Sequence, residues 1–241
     1  MQTKLLALSF TVLGTLSSTA SATLVDRGAG LIFDSELNVT WIQNANLGAT
    51  EHFGVQSHTT NSDGIYLDGR MNWVTALSWI DGMNTSNYRG YNDWRLPKIP
   101  LPNAANLNCA TYDGSSDCGY NIANKNNEIA FLFYGSLGNI SNFDSKGNYR
   151  NRPAVSTGPF FNTDQRRYWL GTPLPPVFGP HQAFTFAFDS GLKEWDDKFD
   201  PYYATFAWAL RNGDVSPVPE PLTAILMIFG LFAITGRLHN L

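Results

Sequence analysis

The feature that most limits what this chain can become lies near its end. From Leu222 to Ile234 it reads Leu-Thr-Ala-Ile-Leu-Met-Ile-Phe-Gly-Leu-Phe-Ala-Ile, without a charge. A helix of that sequence is apolar all round, so it must be covered on every side, by lipid or by protein. At about 1.5 Å per residue the run covers roughly 20–25 Å, less than the ~30 Å of a hydrocarbon core, so length alone leaves both open. The flanks decide for lipid. Ser216-Pro217-Val218-Pro219-Glu220-Pro221 is a stiff spacer that detaches the run from what precedes it. Arg237 and His239 follow, and a cationic end stays on the cytoplasmic side of a membrane. A transmembrane helix is expected at about residues 222–236.

The other end carries a second address. Lys4 gives a positive start, Leu5–Leu16 is apolar apart from Ser, Thr and Gly, and Ala20-Ser21-Ala22 fits a small-x-small cleavage site. Residues 1–22 are expected to be a signal peptide, with Thr23 the mature start, which leaves 23–214 as one domain and 215–241 as the tail. Residues 23–214 are long enough to bury a real core. With 43% hydrophobic and 15% charged residues, a disordered polyelectrolyte is excluded. The net charge of −4, without a basic stripe, gives phosphates nothing to bind, so nucleic acid is excluded as a partner. Cys109 and Cys118 bracket a polar, Gly-containing segment. A disulfide closing so short a loop suits an exported protein; two free thiols are the alternative, and a metal site lacks a nearby His or third Cys.

Between the ends the pattern predicts an α+β domain of two helices and an antiparallel sheet. Residues 31–33 and 37–42 are β-rich runs around an Asp34-Ser35-Glu36 turn. Asn72–Met83 has helical spacing at Trp73, Ala76, Leu77, Ile80 and Met83, with Asn72 as cap. Asn127–Leu137 repeats it through Ile129, Leu132, Phe133 and Leu137, stopping at Gly138. Tyr168–Leu170, Ala183–Phe188 and Ala204–Leu210 read as strands, the last two with large apolar side chains at period two. Asn-rich stretches at 101–127 and 141–151 read as loops.

Candidate chemistry is sparse. Asp189, Glu194, Asp196, Asp197 and Asp200 could chelate calcium, since hard cations take several oxygens, but Lys193 and Lys198 interleave with them and favour a solvated loop with local ion pairs. No other cofactor is expected. Trp79, Trp195, Tyr202 and Tyr203 are aromatics of the kind that stack on sugar rings, with core packing as the alternative. There is no Gly-x-Ser-x-Gly, phosphate loop or His-Glu-x-x-His, and the four histidines are scattered. No catalytic residue is assigned.

Two resemblances add to this. Val218-Pro219-Glu220-Pro221, the apolar run and Arg237 together resemble the PEP-CTERM sorting signal. That resemblance implies an exosortase partner, the inner membrane with the domain on its periplasmic side, and then the cell surface or extracellular matrix once the tail is processed. Across the mature chain, Leu31-Ile-Phe-Asp34, Asn38-Val-Thr-Trp41, Gly69-Arg-Met-Asn-Trp73, Asp93-Trp94-Arg95-Leu96-Pro97, Gly158-Pro-Phe160, Tyr168-Trp169 and Ala207–Asp214 resemble the Lcl C-terminal domain family. This implies a C-type-lectin-like fold and adhesion to sulfated polysaccharides. Within Asp93–Pro97, Asp93 and Arg95 could hold a ligand; the structural alternative puts Trp94 and Leu96 in the core, pairs Arg95 with a carboxylate or carbonyls, and has Pro97 end the strand. Arg95-Leu96-Pro97 is also similar to formylglycine-generating enzymes, but these need reactive cysteines where 168–214 has none, so that reading fails. The expectation is an exported, non-catalytic envelope protein that binds or organises extracellular polysaccharide or serves adhesion. The alternatives are an enzyme on exopolysaccharide with an unrecognised carboxylate site, and a purely structural matrix protein.

Overall fold

The computed structural model describes residues 24–58, 64–100, 107–151, 153–163, 167–200 and 205–215. Both terminal addresses, including Val218, Pro219, Glu220, Pro221 and Arg237, lie outside the described residues. Among those that are described, no helix is long and apolar enough to cross a membrane.

The chain begins with three short strands, β1 (Leu24–Asp26), β2 (Leu31–Asp34) and β3 (Val39–Ile42). The β2–β3 hairpin turns where expected. The Asp34 carboxylate accepts from the backbone N–H of Glu36 and Leu37, and Asn38 takes φ of 52°, a conformation Asn tolerates. Two short strands follow, β4 (Ser57–His58) and β5 (Ile65–Tyr66), paired in parallel. Helix α1 (Trp73–Thr85) comes next, and its Asn72 cap accepts from the Thr75 N–H at 2.8 Å.

The second expected helix is only partly α-helical. Helix α2 (Glu128–Phe131) passes into a π-helical turn over Leu132–Ser136, closed by Leu137 N–H to Leu132 O at 2.9 Å. Gly135 makes room for this, because a Cβ there would lie 2.8 Å from the Phe131 ring. The turn sends Tyr134 outward to bond Gly191 O at 2.6 Å and to accept from Asn121 N–H at 3.0 Å.

Strands β6 (Arg167–Pro173), β7 (Gln182–Ala187) and β8 (Leu192–Asp197) form an antiparallel sheet. The last strand, β9 (Leu210–Asn212), joins the other sheet in the order β1-β2-β3-β9. The stretch expected as a strand from Ala204 thus forms regular ladder only at its end. Before that, Phe206 to Ala209 run buried between the sheets, and Trp208 Nε1 bonds Ile42 O at 2.7 Å. Both faces of each sheet are covered. Tyr168, Leu170, Phe184, Phe186, Trp41 and Trp208 share one apolar cluster with α2, whereas Trp169, Ala183, Leu31 and Ala209 share the other with α1. The two larger sheets, with a helix packed on each apolar cluster, make an α+β domain.

Candidate functional site

Asp93–Pro97 is a clasp between the middle of the chain and its end. Trp94 and Leu96 are buried in the α1 cluster. Between them the backbone of Arg95 exchanges both hydrogen bonds with Leu210, at 2.9 and 3.0 Å. This alternation throws Arg95 to the polar side, where it grips Glu128 through two bonds of 2.7 Å and reaches Asn212 Oδ1. Asp93 meets Arg211 at 2.7 and 3.1 Å, and Arg211 in turn lies over the Tyr91 ring at 4.2 Å. The polar side chains of Asp93, Trp94 and Arg95 are all engaged by the fold, and Arg95 ties α2 and β9 together.

The acidic residues do not gather. Glu194 and Asp196 project from one face of β8 and share the Arg167 guanidinium. Asp197 points the other way and closes a turn by accepting from Phe199 and Asp200 N–H, at 2.8 and 3.2 Å. Among the described residues no group of three metal-binding side chains is close enough to hold an ion. The stretch read as a loop is therefore largely a strand. Burial pushes the Glu194 and Asp196 carboxyls up, and Arg167 works against that rise. Trp79, offered as a sugar platform, is fully buried on α1, with Nε1 on Glu51 O at 2.6 Å. Trp195 is half-buried against the α2 cluster, and Tyr202 and Tyr203 lie outside the described residues.

A groove of about 660 Å³ opens instead beside the turn after β7. Its wall is the Asn-rich loop expected at 141–151, to which the residue pattern gave no role. Asp144 accepts from Lys146 N–H, Asn148 N–H and Asn148 Nδ2, all within 3.0 Å, and folds 143–149 into a tight hairpin. Those bonds from Asn148 hold its carboxyl below the usual range. Asn142 N–H bonds Ser190 O and Arg150 N–H bonds Asn142 O, which docks the hairpin on the β7–β8 turn. The lining brings together Asn142, Tyr149, Arg150, Asn151 and Asp189 over an apolar floor that includes Phe188.

Tyr149 is 72% exposed, its ring set edge-on against Phe143 at 5.7 Å. Arg150 makes no ion pair or side-chain hydrogen bond among the described residues. A forked cation, amide groups and an open aromatic face in one trough can receive a polyhydroxylated ligand, through paired hydrogen bonds and ring stacking. Exposed Tyr149 within an Asn-, Asp- and Gly-rich run was a usable signal. What hid the site is that Asp189 and Phe188 come from a different part of the chain.

Cys109 and Cys118 are joined as a disulfide with Cα atoms 4.4 Å apart. The loop it closes lies on β8, where Gly119 and Lys193 exchange backbone hydrogen bonds of 2.8 and 2.9 Å.

No curated protein and no solved structure matches the chain. The family model of the Lcl C-terminal domain matches residues 30–209, from the start of the β2–β3 hairpin to the residue before β9. That span covers β2 to β8, both helices and the groove, and so the chain belongs to the Lcl C-terminal domain family.

Proposed function

We propose that this is an exported bacterial envelope protein whose domain binds extracellular polysaccharide without chemistry, through the groove beside the β7–β8 turn. The observation that carries the reading is the pairing of exposed Tyr149 with Arg150, Asn142, Asn151 and Asp189 in one open trough. Sugars offer flat apolar faces to an aromatic ring and vicinal hydroxyls to amides, carboxylates and guanidinium.

Membership of the Lcl C-terminal domain family supports the same reading, with a C-type-lectin-like fold and adhesion to sulfated polysaccharides as the family-level expectation. The export signal at 1–22, the exosortase-processed PEP-CTERM tail at 215–241, the single membrane helix within it, and anchoring at the inner membrane before release to the surface complete the proposal.

A glycan array probed with the purified chain, with and without EDTA, tests it. Binding that falls at least tenfold in Tyr149→Ala and Arg150→Ala supports the groove. Loss in EDTA would bring a calcium ion into the ligand site. Release of reducing ends from the producer's own polysaccharide would replace binding by hydrolysis, and an array without signal would leave a structural matrix role.

A further inference from the structure

Lys193 is the most unusual ionisable group in the described residues. It sits on β8 at 1% exposure, under the disulfide-closed loop, with Nζ 5.1 Å from the Phe184 ring centroid. Its one hydrogen-bond partner through Nζ among the described residues is Asn127 Oδ1, at 2.8 Å. An ammonium has three N–H donors and is costly to bury when they lack acceptors, whereas a neutral amine needs fewer partners and carries a lone pair.

Asn127 is equally buried, at 2% exposure. It stands at the N-cap of α2, where Asn ordinarily accepts from the helix's own N–H groups, but its side chain makes no capping bond. Its Oδ1 faces the lysine and its Nδ2 donates to Asn124 Oδ1 at 3.0 Å. The two side chains come together across a sequence separation of 66.

From this geometry we infer that Lys193 and Asn127 are a self-modification site, joined by an intramolecular amide bond. The neutral amine adds to Asn127 Cγ, the Nζ–Cγ bond forms, the Cγ–Nδ2 bond breaks and ammonia leaves. One proton passes from the attacking nitrogen to the departing one, so the exchange balances without oxidant, reductant or co-reactant.

Burial pulls the Lys193 amine down to about 8, so about one molecule in ten carries the free amine at pH 7. That fraction suffices for a reaction that happens once. Holding amine and amide in contact, away from water, gives the proximity that raises effective concentration to about 10⁵ M or more in well-oriented intramolecular reactions. The product would tie the start of α2 to β8 beside the disulfide, a second covalent staple in a domain expected to work outside the cell.

Intact-mass spectrometry of the full chain, followed by tryptic mapping, tests the inference. The expected result is a mass lower by one ammonia than the disulfide-bonded sequence requires. With it comes a branched peptide joining the Asn127 and Lys193 segments, uncleaved after Lys193. Ammonia loss at another asparagine would give no branched peptide, and linear peptides from both segments at full mass overturn the proposal. In Lys193→Arg the branch must vanish. The wild-type result stands whether or not that variant folds.

Discussion

Replacing Glu128 by Ala removes the group on which the Arg95 clasp closes. Its carboxylate takes two bonds of 2.7 Å from the guanidinium and one of 2.6 Å from the Lys98 N–H. The side chains of Arg95 and Glu128 are only 15% and 14% exposed, so the pair is mostly shielded from water. Breaking a fully buried ion pair by deleting one partner costs about 3–5 kcal/mol, because the other charge stays behind uncompensated. Here Arg95 keeps Asn212 Oδ1 and Leu96 O, and Lys98 N–H can turn to solvent. This lowers the expected cost to about 2–3 kcal/mol, with a few tenths from losing an acidic residue in the first turn of α2. Asp93→Ala breaks the neighbouring pair with Arg211, but the Asp93 side chain is 47% exposed. A pair so open to water contributes about 0–1 kcal/mol. Urea unfolding of both variants, read as midpoint at constant slope, separates the cases. In thermal terms Glu128→Ala should lose roughly 4–12 °C. If Asp93→Ala costs as much as Glu128→Ala, shielding does not set the strength of the clasp and the reasoning fails.

Two further outcomes follow from the sheet that bears the disulfide. Reducing Cys109–Cys118 releases a loop with a sequence separation of 9, worth about 2.5–3 kcal/mol of unfolded-state entropy; urea midpoints with and without reductant measure it, and an unchanged midpoint would contradict that account. Arg167→Met leaves Glu194 and Asp196 half-buried without their shared cation, and their folded pKa values, already raised, rise further. A carboxyl with a raised folded pKa binds more protons folded than unfolded. Stability relative to wild type should therefore fall as pH climbs from about 4 to about 7, and a penalty independent of pH would refute the assignment.

Much of the frame was legible in the residues. The β2–β3 hairpin follows from a turn signal between β-rich runs, and α1 from its period and the Asn72 cap, because both depend on neighbours in sequence. The clasp was half legible: the structural reading of the motif put Trp94 and Leu96 in the core and Arg95 on a carboxylate or carbonyls, but did not show that the carboxylate would be Glu128. The acidic run was misjudged because charge suggested a loop. In fact Lys193 is its inward-facing member and Glu194 and Asp196 are neutralised by Arg167 from β6. Asn127–Leu137 has helical periodicity throughout, yet Gly135 and the packing of Phe131 turn its second half into a π-helical turn.

The sequence by itself determined the class of domain, and it determined the β2–β3 hairpin and helix α1 because each of these rests on interactions a few residues long. Tertiary structure alone decided that β9 lies beside β3, that Lys193 meets Asn127, and that Tyr149 and Asp189 line one groove. Those pairings join residues far apart in the chain, chosen by how the two apolar clusters close around the sheets, and no local pattern of side chains encodes that closure.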